Sequence, residues 1–247
     1  VGKQPAGAIN ATGGKMAEAG RRVEVLCDFD GTITNDDIGF RIIEAFASSG
    51  WQEVEDAYQR GEKGSRQALV EIFSLMRVNE EQLSHFVLKN FYVDPYFDSF
   101  LAYCRRSNVR VTVLSDGFDF YIDLMFARFG VEVPYLANSL RVAGSRLQTL
   151  FPYYSNDCGR CGNCKLSFAE KLRSEGTAIV YIGDGYSDRC ACAAADLVFA
   201  KDVLAEHCRK SSIDFRPFKG FEDILQAFRS GLLAGLRRQP AAGVSGK

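Results

Sequence analysis

The stretch VEVLCDFDGTIT, residues 23–34, decides the architecture. Val23 to Cys27 is a largely apolar run of strand length, and Asp28 and Asp30 follow it at once before Gly31 turns the chain. Residues two apart on an extended backbone point the same way, but the chain must turn here because Gly31 follows. Taken alone, such a pair is an ordinary turn or cap.

Working outward, similar apolar runs recur at Val109–Leu114, Ala178–Ile182 and Leu197–Ala200. Amphipathic stretches at Phe118–Phe129, Leu166–Leu172 and Phe221–Phe228 lie between or after them and read as helices. This alternation predicts an α/β fold, a Rossmann-like parallel sheet core with ligands at the carboxyl ends of its strands. Residues 35–107 carry helical patterns at Ile38–Ala47, Gln67–Met76 and Glu80–Phe91 and no strand. A crossover needs only ~10–12 residues, so this segment predicts a helical cap inserted after the first strand. Tyr135–Leu140 and Arg146–Leu150 flank Gly144 like a small hairpin, inserted before Lys165. The expected division is therefore core at 21–34 and 108–233, cap at 35–107, and flexible ends at 1–20 and 234–247. Met16 suits a native start.

The 247 residues suffice for one core and a satellite lobe, and 47% hydrophobic with 25% charged residues excludes a disordered chain. A formal net charge of −1 offers no basic footprint for nucleic acid. No apolar stretch approaches the ~20 residues of a membrane span, and the first twenty lack a secretory apolar region. A cytoplasmic protein, monomer or homodimer, is expected, with its eight cysteines reduced.

Other strand ends repeat the opening theme. Leu114 is followed by Ser115-Asp116-Gly117, a hydroxyl and free amides suited to a phosphate oxygen. The run ending at Ile182 continues Gly183-Asp184-Gly185-Tyr186-Ser187-Asp188, and Lys165 follows the turn Cys158-Gly159-Arg160-Cys161-Gly162-Asn163-Cys164. Each loop separately is a cap or surface charge. Together they suit phosphate ester hydrolysis, a reaction slow enough to need a nucleophile, a proton carrier and a divalent cation at once. Asp28 and Asp184 supply hard oxygen ligands of the kind magnesium prefers.

In this order the motifs resemble those of the haloacid dehalogenase superfamily, over roughly Val23 to Phe228. The resemblance implies a Mg²⁺-dependent phosphatase acting on a small phosphorylated metabolite, with Asp28 as nucleophile and Asp30 as acid and base. It further implies Ser115, the Gly117 amide and Lys165 on the phosphoryl group. Asp28, the Asp30 backbone carbonyl, Asp184 and Asp188 would serve the metal. The cap's placement resembles the phosphoserine-phosphatase-like group. There Asp37 stands where a cap glutamate is usual, and no arginine falls in the expected register around Gln67 to Leu75. DFDGTIT, LSDGFDF, CGNCK and ADLVFAKD are most similar to the methionine-salvage phosphatases that act on a hydroxy-keto-methylthiopentenyl phosphate. Phosphoserine, phosphocholine or phosphoethanolamine as substrate, and phosphoryl transfer to an acceptor other than water, are the alternatives.

Cys158, Cys161 and Cys164 are spaced C-x-x-C-x-x-C, which leaves open a structural zinc site and a zinc-stapled binding protein as the non-enzymatic reading. His85 and His207 read as surface or packing residues, which leaves a Ser-His-Asp hydrolase unsupported. Phe40, Phe46, Trp51 and Tyr58 either line the substrate pocket or fill the cap's own core, the second reading being favoured.

Overall fold

The computed structural model describes residues 20–238. In chain order its elements are β1 (Val23–Cys27), α1 (Ile38–Phe46), α2 (Trp51–Gln59), α3 (Ser65–Ser74), α4 (Glu80–Asn90), α5 (Phe97–Arg106), β2 (Arg110–Phe118) and α6 (Asp119–Phe129). There follow β3 (Tyr135–Ala143), β4 (Arg146–Leu150), α7 (Lys165–Ser174), β5 (Ala178–Gly183), α8 (Arg189–Cys192), β6 (Leu197–Ala200), α9 (Asp202–Lys210), β7 (Arg216–Pro217), α10 (Phe221–Arg229) and α11 (Leu232–Arg238). They form one sheet in the order β4-β3-β2-β1-β5-β6-β7, parallel except for β4.

β1 lies inside the sheet because its side chains suit burial on both faces. Val23, Val25 and Cys27 join the core that holds the phenylalanines of α5 and α10, while Leu26 joins Ala169 and Leu172 of α7 and Leu204 and Cys208 of α9. Glu24 is buried as well, and Thr112 Oγ1 donates to its Oε1 at 2.8 Å.

The segment 35–107 read as a cap holds the five helices α1 to α5. α5 packs on the sheet layer, with Phe100 against Phe221 and Phe228 of α10 at ring-centroid distances of 5.1 and 5.5 Å. Helices α1, α2 and α3 supply lobe residues to the cavity at the strand ends. Truncating so enclosed a ring, Phe100→Ala, is expected to cost about 3–5 kcal/mol, read as a fall in the urea midpoint at unchanged slope.

The loose ends expected at 1–20 and 234–247 fall mostly outside the described residues. The boundary at 234 is corrected: α11 continues to Arg238, burying Leu233 and Leu236, and the Arg237 carbonyl accepts the Arg21 amide at 3.1 Å. The expected hairpin is β3–β4, and the Ser145 carbonyl at its tip accepts the Val78 amide of the lobe at 3.2 Å.

Candidate active site

Asp28 sits one residue past β1 and is still held by the sheet, its amide donating to the Ile182 carbonyl at 2.9 Å. Lys165, the first residue of α7, is buried and spends all three ammonium protons here: on Asp28 Oδ1 at 2.6 Å, Asp188 Oδ1 at 2.7 Å and Ser187 Oγ at 2.9 Å. Burial disfavours that charge, but the Asp188 and Asp28 carboxylates outweigh it and hold the lysine's pKa above its ordinary value.

Asp188 is buried and accepts four hydrogen bonds. Besides Lys165, Tyr181 Oη donates to its Oδ1 at 2.7 Å, and the amides of Asp184 and Gly185 donate to its Oδ2 at 3.1 and 3.0 Å. Its carboxylate therefore shapes the loop that presents Asp184. Asp184 in turn accepts from Thr32 Oγ1, and its carboxyl is pushed up to about 7 by burial and by the charge of Asp188. The Asp28 carboxyl is likewise raised, by burial and Asp188, against the opposing pull of Lys165.

One oxygen from each of Asp28, Asp184 and Asp188 lies within 4.8 Å of the others. Fully ionised, three carboxylates against one ammonium leave two negative charges unbalanced, which a hard dication with oxygen preference corrects. The residues thus fit magnesium. The Asp30 side chain lies outside this group. Among the described residues the cysteines form no comparable set of three donors, and all eight are free thiols. The three thiols of the 158–164 turn nonetheless lie close together, Cys158 hydrogen-bonding both Cys161 and Cys164.

Asp30 faces the other way. Its Oδ1 accepts the amides of Ile38 and Gly39 at 3.0 and 3.4 Å, and its Oδ2 accepts Tyr121 Oη at 3.0 Å and Ser115 Oγ at 3.3 Å. Burial, helped by the charge of Asp37, pushes its carboxyl up to about 8. A carboxyl that keeps its proton near neutral pH is suited to protonating a leaving oxygen. The Gly117 amide donates to Ser115 Oγ at 2.9 Å, and a Cβ on Gly117 would fall 1.7 Å from Tyr121 Oη, so only glycine lets these three close.

Above this floor a cavity of about 310 Å³ opens under the lobe. Phe40, Tyr58, Leu69, Ile72 and Phe73 wall it. Phe40 and Tyr58 are therefore pocket residues, contrary to the favoured sequence reading, whereas Phe46 packs on Phe86 at 5.3 Å and Trp51 on Phe40 at 5.8 Å. Asp37 lines the cavity and caps α1, accepting the Phe40 amide at 2.8 Å. Neither His85 nor His207 is among its lining residues.

The structure brings Asp28, Asp30, Ser115, Gly117, Lys165, Asp184 and Asp188 into one centre. Sequence reasoning missed Thr32, Tyr121, Tyr181 and Asn163. Tyr181 carried a usable signal, because a hydroxyl inside the buried strand AIVYIG must find a partner.

Comparisons with known proteins agree with this geometry. A curated 2-hydroxy-3-keto-5-methylthiopentenyl-1-phosphate phosphatase of Bacillus mycoides (strain KBAB4) is 29% identical over 206 residues, covering 82% of this chain and 94% of that relative. The protein of the same name in Bacillus cereus (strain B4264) is 29% identical over 205 residues, with the same shares covered. A solved phospho-aspartyl intermediate analogue of phosphoserine phosphatase superposes with a TM-score of 0.62 at 20% identity, over 83% of this chain and 98% of that one, and so shares the fold. The model of the family described as haloacid dehalogenase-like hydrolase matches residues 25–193, a span that runs from inside β1 to just past α8 and takes in all four loops of the centre. On that match the chain belongs to the haloacid dehalogenase-like hydrolase family.

Proposed function

We propose that this chain hydrolyses a small phosphomonoester through a phosphoryl group carried transiently on Asp28. The observation that carries the reading is the contact of the Asp28 carboxylate with Lys165 inside a metal-sized cluster of carboxylates on the cavity floor. An Asp28 oxygen attacks phosphorus, the ester P–O bond breaks, and Asp30 gives its proton to the departing oxygen. Asp30 then takes a proton from water, whose oxygen attacks phosphorus and frees Asp28 and inorganic phosphate. Ser115, the Gly117 amide and Lys165 hold the phosphoryl oxygens as charge shifts between them. Asp28 and Asp184, with the Asp30 carbonyl, would hold magnesium, whose charge would screen the anionic ester from the attacking carboxylate. Asp188 acts by orienting Lys165 and the Asp184 loop.

For the substrate we propose a leaving group without a carboxylate, of the kind named for the Bacillus relatives. The cavity lining joins aromatic and aliphatic residues with acidic ones such as Asp37, Glu55 and Asp202, and neither lysine nor arginine appears in it, so the carboxylate of phosphoserine would go unpaired. Asp37, at the cavity's edge, is the proposed specificity residue. Eight free thiols fit a reducing, cytoplasmic setting, and among the described residues no helix is long and apolar enough to cross a membrane.

The test is phosphate release from p-nitrophenyl phosphate, expected to vanish with a chelator and return with magnesium. Asp30→Asn is expected to lower turnover by ~10²–10⁴-fold while phosphorylated protein accumulates, because the second step loses its base. An unchanged rate in that variant would remove Asp30 from the scheme. A screen in which phosphoserine outpaces uncharged alkyl phosphates would overturn the substrate reading.

A further inference from the structure

The turn between β4 and α7 has no part in the chemistry just described, yet it touches everything around it. The Arg160 carbonyl accepts the Arg66 amide at 3.2 Å, and Arg160 Nη2 donates to the carbonyls of Gly61 at 2.6 Å and Lys63 at 3.2 Å, all on the lobe. A Cβ on Gly64 would fall 2.2 Å from the Arg160 carbonyl oxygen, so the two backbones are pressed together. The Gly162 amide donates to Ser65 Oγ at 3.1 Å, and the Ser65 hydroxyl lies beside the Asp116 carboxylate. With its oxygen accepting from Gly162, that hydroxyl has its own proton to give, and Asp116 is the neighbouring acceptor.

Asp116 gathers two further segments. Its Oδ1 accepts the Asn163 amide at 2.8 Å and Asn138 Nδ2 of the hairpin at 3.3 Å, and its backbone carbonyl accepts the same Nδ2 at 2.6 Å. Asn163 Nδ2 donates to the Ser115 carbonyl at 3.0 Å and the Leu136 carbonyl at 2.8 Å. The Lys165 amide in turn donates to the Asn163 carbonyl at 3.0 Å. Two of the residues assigned to the phosphoryl group, Ser115 and Lys165, thus adjoin residues that Asp116 holds, and the lobe reaches Asp116 through Ser65.

We propose that Asp116 is a positioning residue that couples the seating of the lobe, through Ser65 and the 158–164 turn, to the placement of Ser115 and Lys165. The proposal rests on the phosphatase reading above. When the lobe lifts, the Gly162 amide loses its acceptor and Asp116 loses a donor, so the turn that carries Asn163 relaxes; seating the lobe restores both. A substrate that holds the lobe down thereby tightens the groups around its own phosphate.

The experiment compares Ser65→Ala, Ser65→Thr and Asp116→Asn with the parent in two measurements. In the first, kcat, KM and inhibition by inorganic phosphate are followed with p-nitrophenyl phosphate. Ser65 and Asp116 both line the cavity, so Ser65→Ala is expected to lower kcat about tenfold and to weaken phosphate inhibition several-fold, and the exchange measurement separates coupling from direct contact. Ser65→Thr, which keeps the hydroxyl, is expected to restore both, and Asp116→Asn to reproduce the loss with an unaltered melting temperature. In the second, amide hydrogen exchange is expected to speed up at residues 162–165 in Ser65→Ala. Faster exchange confined to residues 61–66, with phosphate inhibition at the parent value, would overturn the coupling. Absent turnover in the parent would instead strike the phosphatase reading, and the exchange measurement would still decide the coupling.

Discussion

Asp28→Asn is expected to hydrolyse p-nitrophenyl phosphate on the order of 10⁴-fold more slowly than the parent, the scale on which an enzyme suffers from losing the group that bonds covalently to its substrate. The substitution changes one oxygen for an amide at a buried site. Lys165 keeps Asp188 and Ser187 as partners, so the chain should remain folded. Acid-quenched samples should carry phosphorylated protein in the parent and none in the variant. Equal turnover in the two proteins would end the assignment of Asp28 as nucleophile whatever the rest of the site does.

Lys165→Met is the second large effect, and it falls on stability as well as rate. Among the described residues Lys165 is the only cation in contact with the Asp28 and Asp188 carboxylates, and all three side chains are at least nine-tenths buried. Removing one partner of a buried ion pair leaves uncompensated charge and typically costs about 3–5 kcal/mol. Urea unfolding should show a midpoint shift of that order, and the folded fraction should have lost most of its turnover. Magnesium is expected to return part of the stability, because it binds the excess negative charge only in the folded chain. A variant as stable as the parent would mean that the ammonium is not the counter-charge the geometry indicates.

Much of this site was legible because each loop leaves a strand end, and strand ends of a parallel sheet are the one place where distant parts of the chain converge. Asp28, Ser115 and Asp184 announced themselves as polar residues set directly after apolar runs, and Lys165 by its place in their order. The helices with clear apolar stripes, α1 and α10, were equally plain. α2 went unread, since its stripe of Trp51, Val54, Ala57 and Tyr58 is short and only Ala57 in it is buried. α5 carries a full set of buried aromatics, but nothing local says that they face α10 rather than the lobe.

What the sequence determined by itself is the set of reacting groups and the sheet that presents them, because both follow from local pattern: residue type, spacing and the position of a turn. Which way Asp30 points, that Tyr121 and Tyr181 bond to Asp30 and Asp188, that Phe40 and Tyr58 wall a cavity and that the cysteine turn clasps the lobe were decided only in three dimensions. These depend on side chains up to 99 positions apart meeting at a fixed distance and angle, as Arg160 meets Gly61. Hydrogen bonding and packing act over a few ångströms, and the pattern along one segment holds no record of which distant segment will arrive within that range.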